Sequence, residues 1–188
     1  MAHVILQRSP QPPLAFDELP TIDAQAAGCF ELHGVRHVRT HLRHDGRRAM
    51  CEFEAPDAES VRIGLKQLGV EIERVWSATI HEPPDVPAAP ETDCGERVVV
   101  ERAFDSPVDF AEIEAIENRG AWCLQLHRVR YLQTFFSLDR RHMICLYEAP
   151  DAESVRLAQS KAGMPFERLW SAALYVPAHL RGAGDGRP

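Results

Sequence analysis

The sequence lacks any long hydrophobic run of the kind that crosses a membrane. No stretch of its 188 residues approaches the roughly 18 consecutive apolar residues that mark a transmembrane helix. The segment from Met1 to Arg8 has no signal-peptide pattern and is typical of a β strand instead. We therefore expect a cytoplasmic protein that has no membrane partner.

The cysteine spacing of a zinc site or a disulfide framework is also missing. The five cysteines are an odd number, and no Cys-x-x-Cys motif occurs. This pattern favours reduced thiols in a reducing compartment. We expect Cys51 and Cys145 in particular to be buried packing residues.

Strongly basic segments and nucleotide-binding motifs are absent as well. The formal net charge is −7, and no segment has the positive charge that a phosphate-backbone binder needs, so nucleic acid is not an expected partner. No phosphate-cradling glycine loop, Rossmann fingerprint or nucleophile–base triad occurs. The sequence therefore predicts that there is no nucleotide cofactor.

What the sequence does contain is an internal repeat. Cys51-Glu-Phe-Glu-Ala-Pro-Asp-Ala-Glu-Ser-Val-Arg62 recurs, with two changes, from Cys145 to Arg156, at an offset of 94 residues. Residues 3–84 align with 97–178 at this offset without a gap, and 32 of the 82 positions are identical. Such self-similarity indicates a tandem duplication of one unit.

The repeat predicts four segments along the chain. Residues 1–84 form the first repeat and residues 97–178 the second. The proline-rich residues 85–96 are expected to be an extended linker, and residues 179–188 a flexible tail.

Each copy predicts the order β-α-β-β-α-β. A β-branched run opens each copy, and helical spacing of apolar residues follows it. Two strands joined at Asp45 or Asp139 come next. Asp57 and Asp151 are expected N-caps of a second helix, which precedes a last strand. This order is that of ferredoxin-like folds, whose sheet is covered by helices on one face only. We therefore predict an α+β fold in which two ferredoxin-like repeats pack sheet to sheet as an intrachain pseudo-dimer, a barrel-like arrangement.

The second repeat resembles a known family. The residues that carry the resemblance run from Leu138 to Arg156, through the Ala-Pro-Asp motif, and continue from Ala162 to Arg168. They are similar to the nickel-binding-protein-like, ferredoxin-like family of domains of unknown function. The resemblance implies the same fold, pairing of domains and a transition metal, nickel, as a cofactor. One histidine of the family pattern is replaced here by Gly64 and Ala158.

The polar residues of the first repeat and their counterparts in the second indicate a binding site. A two-residue turn at Asp45-Gly46 would pair Arg39 with Glu52 and His37 with Glu54, all on the open face of the sheet. The aligned residues of the second repeat are more apolar. A pocket between the repeats would then have a polar floor and an aromatic wall, as small-molecule sites usually do. The predicted ligand-binding residues are Arg39, Glu52, Tyr131, Phe135, Glu148 and Tyr175.

Three hypotheses about function follow. The first is a small-ligand or transition-metal binding protein, with His37, His41 and His81 as metal ligands and a small molecule or metal ion as partner. The second is a small-molecule enzyme that uses His37 as acid or base, with Glu54 fixing its tautomer. The third is a structural or interaction module without chemistry. A homodimer on top of the pseudo-dimer is compatible with all three.

Overall fold

The computed structural model of the chain describes residues 1–83 and 96–181. Nearly all of the predicted linker, including Cys94, and the end of the predicted tail lie outside the described residues. None of the helices in the two described ranges combines the length and hydrophobicity that a membrane-spanning helix requires.

The predicted order β-α-β-β-α-β occurs twice along the chain. The strands of the first half are β1 (Ala2–Arg8), β2 (Arg36–Arg43), β3 (Ala49–Ala55) and β4 (Arg74–His81), and its helices are α1 (Leu19–Leu32) and α2 (Ala58–Gln67). The strands of the second half are β5 (Glu96–Ala103), β6 (Arg130–Ser137), β7 (His142–Ala149) and β8 (Arg168–Tyr175), and its helices are α3 (Phe110–Leu126), α4 (Ala152–Ala162) and the short α5 (Ala178–Arg181). A 3₁₀ turn at Phe16–Glu18 precedes α1.

The chain divides into two compact units whose boundaries fall inside strands. Unit 1 contains residues 1–78 together with the segment that starts at Ala173, and unit 2 contains residues 79–172. The division cuts β4 and β8, so His81 belongs to unit 2 and Tyr175 belongs to unit 1. Each of these two strands therefore begins in one unit and ends in the other.

Both units contain antiparallel sheets with the same pairing. In the first sheet β1 pairs with β3 and β4, and β2 pairs with β3, which gives the order β4-β1-β3-β2. The second sheet has the equivalent order β8-β5-β7-β6. The α+β class is thus as the sequence predicts. The packing of two repeats sheet to sheet stays a prediction.

Helix signals in the sequence act as expected. The carboxylate of Asp57 accepts a hydrogen bond from the backbone N–H of Ser60, 2.8 Å away, and Asp151 does the same for Ser154 at 2.7 Å. These bonds satisfy amide groups that have no partner within the first turn of α2 and α4. They also lower the pKa of both aspartates.

One face of each sheet is covered by its two helices. In unit 1, Val4, Leu6 and Phe53 pack against Phe30 of α1 and Leu65 of α2. The second unit repeats this arrangement around another set of buried residues, which includes Val98, Val100, Cys123, Cys145, Tyr147 and Val155. Cys51 and Cys145 are both buried, as the sequence predicts.

Candidate functional site

A cavity of about 280 Å³ lies between α3, α4 and the helix-covered face of the sheet in unit 2. Its wall includes the aromatic rings of Phe110, Tyr131 and Tyr147. The end of β4 contributes His81, so residues of both sequence repeats line a cavity that belongs to a single compact unit. Its other lining residues are Glu82, Pro83, Glu114, Glu117, Asn118, Gly120, Ala121, Leu124, Gln159, Ala162 and Met164.

The close approach of α3 and α4 at one point shapes this cavity. A Cβ atom built on Gly120 would lie 2.5 Å from the Cβ atom of Ala162. Only glycine therefore allows the two helices to come this close. Both residues also line the cavity, so the same contact forms part of its boundary.

His81 is held in a defined orientation at the cavity. Its ring stacks on the ring of Phe110, with centroids 3.6 Å apart and planes at 21°. Its Nε2 lies 2.9 Å from the hydroxyl of Thr79, and that hydroxyl donates a hydrogen bond of 3.3 Å to the carbonyl oxygen of Phe136. Because the Thr79 proton is used in this way, Nε2–H is the donor to Thr79 and Nδ1 is the unprotonated nitrogen.

Burial keeps this imidazole neutral. It lowers the pKa of His81, and the nearby charge of Glu114 opposes this shift without cancelling it. A neutral imidazole with one free nitrogen can accept a proton from a bound molecule. His81 thus has the protonation state that a general base requires.

Tyr131 is fixed beside His81 by its hydroxyl. This hydroxyl donates a hydrogen bond of 2.9 Å to the backbone carbonyl oxygen of His81. The Tyr131 ring also contacts Tyr147, with centroids 5.8 Å apart. Burial raises the pKa of Tyr131 and of Tyr147, so both remain neutral phenols at physiological pH.

Glu117 brings a carboxyl group into the same wall. Burial is the main cause that raises its pKa; the charge of Glu114 adds to the shift, and Arg102 opposes it. The Cys145 thiol donates a weak hydrogen bond, with its Sγ 3.9 Å from a Glu117 oxygen. The cavity therefore has a carboxyl group that holds its proton to higher pH than an exposed glutamate does.

Arg102 lies beside this carboxyl group without lining the cavity. Its guanidinium donates to the amide oxygen of Gln159 at 2.6 Å, to the carbonyl of Pro165 at 3.0 Å and to the thiol of Cys145 at 3.0 Å. Burial alone would lower the pKa of Arg102, but its neighbours Cys145, Tyr147 and Glu117 raise it. The guanidinium is thus charged and held in place by protein groups.

A β-bulge in each unit decides which residues reach the helix-covered face. Arg39 does pair with Glu52, and His41 with Met50, as the turn at Asp45-Gly46 predicts. The register then shifts between His37 and Arg39, so His37 lies opposite Phe53. The same shift occurs between Tyr131 and Gln133. Such bulges change the direction in which a side chain points.

The predicted pairing of His37 with Glu54 is therefore wrong. Because of the bulge, Glu54 lies opposite Arg36 and forms an ion pair with it. The imidazole of His37 contacts Asp23 of α1 instead, with Nδ1 2.7 Å from Oδ1, and its Nε2 lies 2.9 Å from the Thr40 hydroxyl. Its partner for fixing the tautomer is thus an aspartate from a helix.

His37 lines a second, smaller cavity in unit 1. This cavity has a volume of about 60 Å³ and occupies the place that corresponds, by sequence alignment, to the unit 2 cavity. Tyr175 stacks on His37 with centroids 6.0 Å apart, and its hydroxyl lies 3.5 Å from Asp23. His37 and Tyr175 in unit 1 correspond to Tyr131 and His81 in unit 2, so the two residue types have exchanged places.

The remaining predicted binding residues form ion pairs or belong to the buried interior. Arg39 Nε is 2.6 Å from Glu52, whose other oxygen is 3.4 Å from His3. Glu148 forms an ion pair of 2.7 Å with Arg130. His41 and Phe135 are buried and line neither cavity. The structure therefore groups Tyr131 with His81, and His37 with Tyr175, and the assembly of the predicted set as one site stays a prediction.

Several residues of the two cavities were not identified from the sequence. Asp23 and Glu117 occupy equivalent positions in the two repeats, and both are acids on the first helix of their repeat. An acidic residue at the same position of both repeats is the one feature of the sequence that points to these two cavity residues. Gln159 and Phe110 carry no such signal, because their roles depend on how the helices pack on the sheet.

The donor groups of the described residues do not fit a nickel ion. Across residues 1–83 and 96–181, no three side chains of His, Cys, Asp or Glu converge as a metal site. Transition metals usually require at least three protein ligands, so the geometry does not support the predicted metal site.

Several solved structures align with this chain over most of their length at low sequence identity. A crystal structure provisionally assigned as a chlorite dismutase, TA0507, aligns with a TM-score of 0.51 and 12% identity over 93% of this chain and 94% of the other. A heme-binding protein from Thermus thermophilus aligns with a TM-score of 0.48 and 9% identity over 96% and 93% of the two chains. An anthrone oxidase-like protein has a TM-score of 0.47 and 8% identity over 94% of each chain. At this identity, the first similarity supports the α+β fold class alone.

In sequence, the second repeat matches a family model. No curated protein matches the chain significantly. A family model described as "Nickel responsive protein SCO4226-like" matches residues 99–171. These residues include the Ala-Pro-Asp motif and the helix that follows it. The second repeat thus matches the SCO4226-like nickel-responsive protein family over residues 99–171, in agreement with the resemblance that its sequence shows.

Proposed function

We propose that the chain binds a small organic molecule in the unit 2 cavity. The observation that carries this proposal is the position of His81 in the cavity wall, with a neutral imidazole held by Thr79 and stacked on Phe110. A half-buried ring so oriented beside a cavity of about 280 Å³ is typical of a binding site. The site proposed from the sequence, between the repeats, stays a prediction.

The lining of the cavity favours a ligand with an aromatic or aliphatic body. Most of the lining residues are apolar or aromatic, among them Phe110, Leu124 and Met164. The volume is near the lower limit of about 300 Å³ for ligand pockets, which corresponds to a molecule of two or three fused rings at most.

The charges of the lining favour a ligand that is neutral or cationic. Glu82, Glu114 and Glu117 are carboxylic side chains, and the only other ionisable lining groups among the described residues are His81 and the two tyrosines. A carboxylate ligand would meet the negative charges of Glu82 and Glu114, and it would find no cationic side chain among the described lining residues to offset the repulsion. We therefore expect discrimination against anions.

The enzyme hypothesis is a second candidate, and it now rests on His81 rather than His37. A neutral His81 can accept a proton from a bound molecule, and a protonated Glu117 can donate one. The two groups line the same cavity. This arrangement supports proton transfer, such as an isomerisation, on a ligand held between them.

The nickel hypothesis derives its support from the family name alone. The matched model is described as nickel responsive, yet the described residues offer no three convergent donors. Elemental analysis of protein purified without an affinity tag tests this hypothesis directly. Near-stoichiometric nickel would reinstate a metal site and would place its ligands outside the described geometry.

The strand order supports a duplicated ferredoxin-like unit. The strand order β4-β1-β3-β2, repeated as β8-β5-β7-β6, is what a duplicated ferredoxin-like unit would produce. We infer a tandem duplication from this order together with the aligned sequences. A homodimer remains a prediction.

Calorimetric titration of the full chain tests the binding proposal with three bicyclic probes of similar size. These are 2-naphthol, which is neutral, 2-naphthylmethylamine, which is cationic, and 2-naphthoate, which is anionic. We expect saturable binding of the first two and much weaker binding of the third. Lack of saturable binding by all three would contradict the proposal.

A matched pair of variants locates the site. Ala121 is exposed on α3 at the edge of the cavity, and the aligned Ala27 on α1 is exposed and lines neither cavity. The Ala121→Trp variant should lose the bound probe because the indole fills the entrance, whereas Ala27→Trp should bind as the unmodified chain does. Equal binding by both variants would show that the probe binds elsewhere.

A further inference from the structure

The small cavity of unit 1 contains a buried guanidinium nitrogen without a partner. The Nε atom of Arg8 is inaccessible to solvent and has no hydrogen-bond partner among the described residues. The Arg8 side chain lines the cavity of about 60 Å³ together with His37 and Thr40. A buried donor without an acceptor is rare in folded proteins and costs free energy.

The equivalent arginine of unit 2 shows what Arg8 lacks. Arg102 aligns with Arg8, and each nitrogen of its guanidinium has an acceptor: Nε, the atom that has none in Arg8 within the described chain, donates to the Pro165 carbonyl, Nη2 donates to the Gln159 amide and Nη1 to the Cys145 thiol. In the first repeat the residue aligned with Gln159 is Leu65, whose side chain cannot accept a hydrogen bond and which lines the unit 1 cavity. Arg102, by contrast, does not line the unit 2 cavity.

We infer that the unit 1 cavity is a second site, which binds a short-chain carboxylate through Arg8. A carboxylate is the natural acceptor for a guanidinium, because its two oxygens match the N–H donors and carry the opposite charge. The volume of about 60 Å³ limits the ligand to a few non-hydrogen atoms.

The other lining residues determine the remainder of the ligand. They are mostly aliphatic and aromatic, and include Leu6, Ile22, Phe30 and Leu65. Among the lining residues that the structure describes, Asp23 alone has a carboxylate, and it contacts the His37 ring at 2.7 Å and the Tyr175 hydroxyl at 3.5 Å. A short alkyl chain on the carboxylate would contact the apolar wall. This site is independent of the function proposed for the unit 2 cavity, which contains carboxylates and favours neutral or cationic ligands.

Titration of the ¹⁵N-labelled full chain with sodium propionate tests this inference. The Nε–Hε resonance of Arg8, assigned by its loss in the Arg8→Gln variant, should shift in a saturable way. Propionamidinium at the same ionic strength has nearly the same planar shape but the opposite charge, and it should cause no such shift. Lack of a saturable shift with propionate would overturn the proposal.

Three variants identify the contact. Arg8→Gln should weaken propionate binding by about tenfold to a hundredfold, as expected for loss of a charge-assisted hydrogen bond. Arg47→Gln removes the same charge from an exposed position and should leave binding unchanged. Leu65→Gln supplies the amide that Arg102 has in unit 2, and it should weaken binding although Arg8 keeps its charge.

The three variants distinguish binding at Arg8 from binding elsewhere and from an effect of net charge. Unchanged binding in Arg8→Gln would show that propionate binds elsewhere, and equal weakening in Arg8→Gln and Arg47→Gln would reduce the effect to net charge. Either result overturns the proposal. If circular dichroism shows that Leu65→Gln does not fold, the pair Arg8→Gln and Arg47→Gln decides the question.

Discussion

The imidazole of His37 and the carboxylate of Asp23 form a close, largely buried pair that joins β2 to α1 in unit 1. Their Nδ1 and Oδ1 atoms are 2.7 Å apart, and the side chains are only 10% and 17% exposed. Because a carboxylate can only accept, Nδ1 carries the proton. The pair thereby fixes the tautomer of His37 and binds a helix to the sheet at the wall of the unit 1 cavity.

Loss of this pair should destabilise the protein. In an Asp23→Ala variant, the buried Nδ1–H of His37 has no acceptor, and we expect the free energy of unfolding to fall by about 1–3 kcal/mol. Asp17→Ala, which removes an exposed aspartate nearby, should change it by roughly 0.5 kcal/mol or less. Urea denaturation measures both. Equal effects of the two substitutions would mean that the Asp23–His37 contact adds nothing to stability.

Two glycines should respond in opposite directions to substitution by alanine. Gly120→Ala places a Cβ atom 2.5 Å from that of Ala162, so α3 and α4 must separate at a cost of about 1–3 kcal/mol. Gly28 lies within α1 and has no atom within 4 Å of the added Cβ. Gly28→Ala should therefore stabilise the protein by about 0.5–1 kcal/mol. Thermal denaturation distinguishes the signs, and stabilisation by Gly120→Ala would contradict the close helix contact.

Stability should depend on pH through Glu117. Its pKa is raised in the folded state, mainly by burial, so the folded protein favours the protonated carboxyl group more than the unfolded chain does. The resulting penalty is absent below the unfolded-state pKa, grows as the pH rises from that pKa to the folded-state pKa, and is complete above the latter. Replacement by glutamine removes this ionisation.

The Glu117→Gln variant should therefore be more stable than the unmodified chain at pH 7, and the difference should shrink on acidification. Arg102, Glu114 and Cys145 face this carboxyl group and are present in both proteins, so the comparison isolates Glu117. Unfolding measured at neutral and acidic pH provides the test. A difference that grows at low pH would reverse the assigned direction.

The cysteine thiols should differ in reactivity. Cys51, Cys123 and Cys145 are buried, and burial raises the pKa of Cys51 and Cys145, so few thiolates form at neutral pH. Cys29 is only partly buried. Alkylation of the native protein, followed by peptide mass spectrometry, should label Cys29 at least about tenfold faster than the other three. Comparable rates would show that the interior opens readily.

Local sequence rules predicted the elements of the fold because repeated signals specify them. The Ala-Pro-Asp motif occurs twice, and in both copies its aspartate caps a helix, at Asp57 and Asp151. The turn at Asp45-Gly46 correctly predicted that Arg39 pairs with Glu52. Hydrogen-bonding rules of short range were sufficient for these features.

The candidate site could not be predicted in the same way. A single unpaired residue between His37 and Arg39 shifts the strand register, and the alternating pattern of side chains contains no mark of that shift. The shift brings His37 to the helix-covered face and leaves Glu54 with Arg36. Both cavities also depend on helix packing, which the sequence pattern specifies only as an apolar face.

Unit 1 cannot be complete until the end of β8 has been synthesised. Unit 2 is continuous in the chain, from Thr79 to Ala172, whereas unit 1 needs the segment that begins at Ala173. The ribosome therefore delivers every residue of the second unit before it delivers Tyr175, which contacts His37. The amino-terminal unit is the last to be completed, although most of it is made first.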